Sequence, residues 1–471
     1  MGKEIRLNAF TINSPGHLSA GLWRHPDDQS HRYTDLRYWT GLATTLERGL
    51  FDGLFIADVL GVYDVYGQSA DTALRNAAQV PINDPLQLVS AMAAATRHLG
   101  FGVTASVSFE HPYPFARRMS TADHLSGGRI GWNIVTSYLE SGARNLGQAA
   151  QLTHDNRYDL ADEYLEVCYK LWEHSWAPDA AVRDKARGVY AEPDRVRGIG
   201  HRGRFFTVPG FHLSEPSPQR TPVLYQAGAS SRGRQFAARH GECVFVAAPT
   251  RAILRAQVDA LRAEAVRQGR AARDLLIFNQ ITVIVAPTDA QARAKFDDYR
   301  RYISRPGSLA LMSGWTGLDL SRFAPDQTLE HVDSNAIQSA VDAFTSADPT
   351  RRWSVDEIAD YCGIGGDGPV LVGSPGTVAD ALQGWLDDTG ADGFNVAAVV
   401  NPGSFADIVE WLVPELQRRG VYKRAYRDGT LREKLFGRGA ALHDTHYGAR
   451  FRAEAAVPDA AAPGAAAPLH S

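Results

Sequence analysis

Along this chain, short, mainly apolar runs alternate with longer stretches whose apolar positions recur every three or four residues. The first pattern reads as strands buried on both faces and the second as amphipathic helices. Strands are expected at Ile5–Thr11, Gly53–Ala57, Gly102–Ser106, Ile130–Thr136, Val223–Gln226, Cys243–Ala247, Ile277–Val285 and Phe394–Val399. Helices are expected at Asp35–Arg48, Pro85–His98, Pro114–Leu125, Asp155–Trp172, Ser231–Arg239, Arg251–Gln268 and, after the last strand, Phe405–Arg418. Eight strands that each lead into helical sequence fit an α/β chain closed as a parallel (β/α)8 TIM barrel better than an open doubly wound sheet. No early GxGxxG follows the first strand, which weighs against a dinucleotide-binding sheet.

Two stretches break this rhythm. Residues 175–220, after the fourth strand, are rich in Gly, Pro and charge and read as an excursion over the barrel. Residues 302–369, after the seventh, hold weak helical patterns and are placed to cover the barrel mouth. Insertions of this length usually carry function. Residues 1–437 are accordingly expected to form one barrel domain, and 438–471 a C-terminal extension with a disordered Ala/Pro-rich end.

Composition narrows the field without deciding it. The chain is 44% hydrophobic and 22% charged, with a net charge of −4 and no basic stripe, so neither a membrane span nor nucleic acid is expected. Its three cysteines, Cys168, Cys243 and Cys362, are far apart; they argue for a reducing, cytoplasmic setting, and the first two read as core filler.

Candidate chemistry gathers at three segments: GGRIGWNIVTS (127–137), HDNRYDLADEYLEV (154–167) and PVLYQAGASSRG (222–233). His154 and Tyr158, spaced i,i+4 at a helix start, share one face near the positive end of its dipole. Ser230 and Ser231 follow a glycine-rich turn into another helix, where free N–H groups and hydroxyls suit an anion. Taken singly, Ser230 is a cap and Tyr158 a core aromatic; together they point to phosphate. The strand ends (Asn13 to His17, Asp58, Thr104 to Ser108, Asn133 to Tyr138, Ala247 to Pro249) supply mostly uncharged hydrogen-bonding groups. Such a lining suits a planar heterocycle with amide edges, and no HxH signals a metal. Phe10, Phe55, Tyr63, Phe109 and Trp132 are either a dry aromatic lining or barrel core.

The strings GLWRHP (21–26), LERGLFDGLFIADV (46–59), DHLSGGRIGWNIVTS (123–137), HDNRYDLADEYLEV, PVLYQAGAS (222–230), ADGFNV (391–396) and VPELQRRG (413–420) resemble the bacterial luciferase-like, flavin-dependent monooxygenases. The likeness is to the branch holding nitrilotriacetate, dibenzothiophene sulfone and long-chain alkane monooxygenases. It is closest to the alkane enzymes, through HRYTDLRYW (31–39), VYDVYGQSADTA (62–73) and QVPINDP (79–85).

The resemblance implies FMN contacts at Asp58, Thr104, Asn133, Ser137, His154, Tyr158, Ala229 and Ser230, the last four around the phosphate. It implies substrate contacts at His17, Tyr63 and Gln79. Ser14 stands where the alkane enzymes carry Cys, and Tyr138 and Leu311 where they carry His, so the substrate side departs from the pattern. His17 is the candidate for proton transfer or hydrogen bonding, on the expectation that its pKa straddles neutrality. The implied activity is a two-component monooxygenase: a separate NAD(P)H:FMN reductase supplies FMNH2, which with O2 forms a C4a-hydroperoxyflavin that oxygenates a small organic molecule. A homodimer or homotetramer is implied too. The competing readings are a deazaflavin-dependent oxidoreductase on the same barrel and a non-catalytic flavin-binding protein.

Overall fold

The computed structural model describes residues 3–228, 230–329, 334–345 and 352–454. All eight anticipated strands form: β1 (Arg6–Ile12), β2 (Gly53–Ala57), β3 (Gly100–Ser106), β4 (Ile130–Val135), β5 (Val223–Gln226), β6 (Cys243–Val246), β7 (Leu276–Val285) and β8 (Gly393–Ala397). Each pairs in parallel with its neighbours, and β8 lies between β1 and β7, so the sheet closes on itself. Among the described residues, three short strands escaped the sequence reading. His201–Arg202 pairs antiparallel with Thr207–Val208 in the excursion after β4. Val370–Gly373 pairs with Thr282–Val285, the far end of the ten-residue β7, and leaves the barrel itself eight-stranded.

Local chemistry sets the helix ends. The Asp35 side chain accepts from Arg37 N–H, and the Thr250 side chain from Ile253 N–H, each starting a helix where the apolar period begins. The expected helix 85–98 stops at Ala94. The reason is remote in sequence: the buried Arg129 guanidinium takes the carbonyls of Ala93, Thr96 and Leu99. The Glu47 carboxylate meanwhile accepts from Arg97 and Leu99 N–H and steers the chain into β3.

The barrel floor is filled by aromatic rings. Phe55 and Phe245 lie 4.4 Å apart and Tyr225 stacks on Phe245 at 5.2 Å, all belonging to one apolar cluster with Phe278 and Leu431. Gly131 faces this plug: a Cβ there would come within 2.2 Å of the Tyr225 ring. Trp132, next along the strand, therefore points outward. It is fully buried against Phe115 (4.5 Å) and Tyr164 (6.0 Å), which makes it barrel–helix core and not lining.

Residues 175–220 pack outside the barrel: His212 bonds Ser120 at 2.9 Å, and Glu163 accepts from Phe205 and Phe206 N–H. Below the barrel, Arg432 inserts between strand starts and forms a bidentate pair with Glu242 (2.7 and 2.8 Å). The three cysteines are buried thiols, with burial pushing each pKa up. Among the described residues, no helix is long and apolar enough to cross a membrane. The Ala/Pro-rich end lies outside the described residues.

Candidate active site

Above the aromatic floor, the C-terminal strand ends enclose a cavity of about 340 Å³. Trp315, Ala336, Ile337, Ala340 and Asp367, all from the segment between β7 and β8, contribute to its walls.

One end of the cavity is a polar cradle. Thr153 precedes the helix His154–Tyr169, so His154 and Tyr158 lie one turn apart on the same face at its start, rings 5.1 Å apart. The exposed carboxylate of Asp155 bonds His154 Nδ1 at 2.9 Å, leaving Nε2 3.3 Å from Ser230 Oγ. Ser230 caps the next helix by accepting from Gly233 N–H at 3.0 Å. The approach requires glycine: a Cβ on Gly233 would stand 2.9 Å from the Tyr158 hydroxyl, and one on Gly228 3.1 Å. Three polar side chains from two helices thus meet at one point beside two helix N-termini. Ala229 lies outside the described residues.

The cavity's middle is built from strand residues. Thr104 and Asn133 are register partners on β3 and β4; Asn133 Nδ2 donates to Thr104 Oγ1 at 3.0 Å, which leaves Asn133 Oδ1 without a partner. Gln226 Oε1 and Asn395 Oδ1 are likewise buried without a partner on the cavity wall. Ser137 follows β4 in the left-handed region (φ 56°), bonded to Ser106 Oγ at 2.8 Å. Asp58, just past β2, has its carboxyl pushed up to about 7 by burial, with the Asp84 charge adding to it.

At the other end a network links the substrate-side candidates. Tyr63 O–H donates to Gln79 Oε1 (2.9 Å), so its oxygen accepts from Trp315 Nε1–H (3.1 Å) and from Tyr138 O–H (2.6 Å). Gln79 Nε2 in turn donates to the His17 carbonyl at 3.3 Å. Burial keeps both tyrosines protonated, with Tyr63 pushed up to about 12 and Tyr138 further.

Several expectations need correction in place. Ser14 and Leu311 do not line the cavity. Ser14 Oγ faces the Gly16 N–H of its own loop, and Leu311 is buried in an apolar cluster with Leu18 and Trp315. Phe109 also lies off the wall, whereas Phe10, Phe55 and Tyr63 are on it.

His17 lines the cavity against the Phe10 ring (4.5 Å), but burial lowers its pKa to about 3. It is a neutral imidazole at pH 7, fit to hydrogen-bond and not to act as an acid. Because this folded-state pKa lies below the unfolded value near 6.5, the stability penalty is absent above that pH and grows as pH falls toward 3. Replacing His17 with Gln is expected to gain about 2 kcal/mol relative to the wild type between pH 7 and pH 5, read from denaturant unfolding at both. A constant difference across those pH values would show that His17 ionises freely.

Sequence reasoning missed Gln280, Asn395, Asp367 and Arg157 on the wall. The first two were visible as amides inside largely apolar strands, Gln280 beside Asn279 on β7 and Asn395 on β8, where they are register partners. Arg157, adjacent to Tyr158 and buried, donates to the Leu152 and Asn335 carbonyls (2.9 and 2.8 Å) and brings positive charge to the cradle end. Among the described residues, no group of three His, Cys, Asp or Glu could hold a metal ion.

The family model of luciferase-like monooxygenases matches residues 18–393. The chain is 50% identical over 454 residues to the dimethyl-sulfide monooxygenase of Hyphomicrobium sulfonivorans, spanning 96% of this chain and 94% of that protein. It is equally 50% identical, over 453 residues, to the long-chain alkane monooxygenase of Geobacillus thermodenitrificans, spanning 96% and 99%. A crystal structure of long-chain alkane monooxygenase superposes with a TM-score of 0.89 at 50% identity, over 96% of this chain and all (100%) of that one. A riboflavin lyase solved with modified FMN and riboflavin also gives 0.89, at 38% identity over 96% and 100%. With a barrel whose strand ends hold this cavity, and relatives this near over almost the whole chain, the protein belongs to the luciferase-like monooxygenase family.

Proposed function

We propose that the protein is the oxygenase of a two-component system, taking FMNH2 from a separate NAD(P)H:FMN reductase and using O2 to oxygenate a small organic molecule. The observation that carries this reading is the cradle of Ser230, His154 and Tyr158 at one end of a cavity lined with unpaired amide oxygens. A nucleotide phosphate fits the cradle. The N–H and C=O edges of an isoalloxazine fit Asn133, Gln226 and Asn395, whose partnerless oxygens would otherwise each cost about 1–3 kcal/mol.

Reduced flavin, when bound, supplies the activation of O2. The chain's part is to hold the nucleotide through Ser230, Tyr158 and His154, to flank its ring with Asp58, Thr104 and Asn133, and to exclude water with Phe10, Phe55, Tyr63 and Trp315. Neutral His17, its Nδ1 without a partner, offers a hydrogen bond at the reacting end. Relatives named for alkanes and for dimethyl sulfide support a substrate that carries alkyl groups. The deazaflavin alternative draws on barrels 13–14% identical, a likeness of fold alone.

The test couples the protein to a generic NADH:FMN reductase under oxygen-18 gas with a panel of alkanes, thioethers and amines. One labelled oxygen atom in an organic product supports the reading. NADH consumption matched entirely by hydrogen peroxide, with every compound recovered intact, would contradict it.

A further inference from the structure

The cavity is electrically lopsided. The buried Arg157 guanidinium sits at the cradle end, while Asp367 reaches the wall in the Gly365–Gly368 turn at the other. That turn needs glycine: Gly365 and Gly366 have φ of 80° and 69°, and a Cβ on Gly365 would fall 2.1 Å from Thr282 Oγ1. It is also pinned. Gly365 N–H donates to Ser19 Oγ (3.0 Å), Gly366 N–H to the Leu18 carbonyl (3.1 Å), and Gln280 Nε2 donates to the Gly365 carbonyl (2.5 Å). Asp367 is thereby held beside the His17–Ser19 segment. The Trp315 ring lies 3.5 Å from where a Gly366 side chain would begin, and Trp315 bonds Tyr63.

Among the described residues, no Lys, Arg or His compensates this carboxyl; burial pushes it up to about 6, and its one hydrogen-bond contribution is from its own backbone. An unpaired carboxyl in a largely apolar chamber is a standing cost unless a ligand offsets it. A neutral alkane or thioether would deepen the desolvation. An ammonium group would supply both N–H donors and a charge that aromatic faces also attract.

We propose that Asp367 is a specificity-determining residue that, with Trp315 and Tyr63, receives the positively charged nitrogen of an alkylammonium substrate. This rests on the flavin reading of the cradle end, which leaves the Asp367 end for substrate.

The experiment uses the full chain saturated with oxidised FMN and titrates two near-isosteric probes, diethylammonium chloride and diethyl sulfide, by calorimetry. The wild type is expected to bind diethylammonium about 10-fold or more tightly than the sulfide. Asp367→Asn is expected to abolish that preference with FMN affinity unchanged and the melting temperature no lower than the wild type's, because the uncompensated charge is removed, and Asp367→Glu to retain part of it. No preference in the wild type, a preference that survives Asp367→Asn, or a loss of FMN affinity in its place would overturn the assignment. An initial FMN titration separates the two levels: failure to bind FMN fells the flavin reading, whereas FMN binding without ammonium preference fells only the role of Asp367.

Discussion

Replacing Ser230 with Ala together with Tyr158 with Phe is expected to weaken FMN binding by about 2–4 kcal/mol, roughly 30- to 1,000-fold. Both hydroxyls converge on one point, as the 2.9 Å approach of Ser230 Oγ and of the Tyr158 hydroxyl to the same virtual Cβ on Gly233 shows. Each would donate to the phosphate of a bound FMN in a partly desolvated cradle, where charge-assisted hydrogen bonds are worth about 1.5–3 kcal/mol. Quenching of flavin fluorescence measures the affinity. Ser230 also caps its helix, so the double variant loses about 0.5–2 kcal/mol of stability, and affinity is to be read well below its melting temperature. An unchanged dissociation constant would mean the phosphate sits elsewhere.

The largest effect on stability is expected at the opposite end of the barrel. Arg432, buried with Glu242, donates to both of its oxygens and to the carbonyls of Thr221, Pro222 and Ala440. Arg432→Met would strand a buried carboxylate and several carbonyls at the start of β5. The expected loss is about 3–5 kcal/mol in denaturant unfolding. Replacing both partners, Arg432→Met with Glu242→Leu, should recover part of it, because the cost lies in the unpaired charge and not in the absence of the pair. A loss under about 1 kcal/mol for the single variant would show that solvent reaches Glu242 in its place.

The barrel was legible because strands of a closed parallel sheet are buried on both faces and read as near-continuous apolar runs, as in CVFV of β6. The cradle was legible because its elements are local: a helix start carrying His154 and Tyr158, and a glycine turn ending in Ser230. What stayed hidden depends on contacts distant in sequence. Nothing near Ala94 announces the end of its helix, since Arg129 removes the carbonyls from 35 residues downstream. Trp132 and Asn133 are neighbours on one strand with opposite fates, and only the pleat decides which faces the cavity. Correspondence with relatives placed Ser14 and Leu311 in the right neighbourhood but could not give their side-chain directions. The titration of His17 likewise depends on burial, which no residue beside it in the sequence reveals.

The phosphate cradle is tested most directly by comparing FMN with riboflavin, which differ only in that phosphate, by fluorescence titration in one buffer. FMN is expected to bind about 30- to 1,000-fold more tightly, and the gap should shrink toward unity when Ser230 and Tyr158 are both replaced. Equal dissociation constants for the two flavins in the wild-type protein would contradict a cavity anchored on the phosphate.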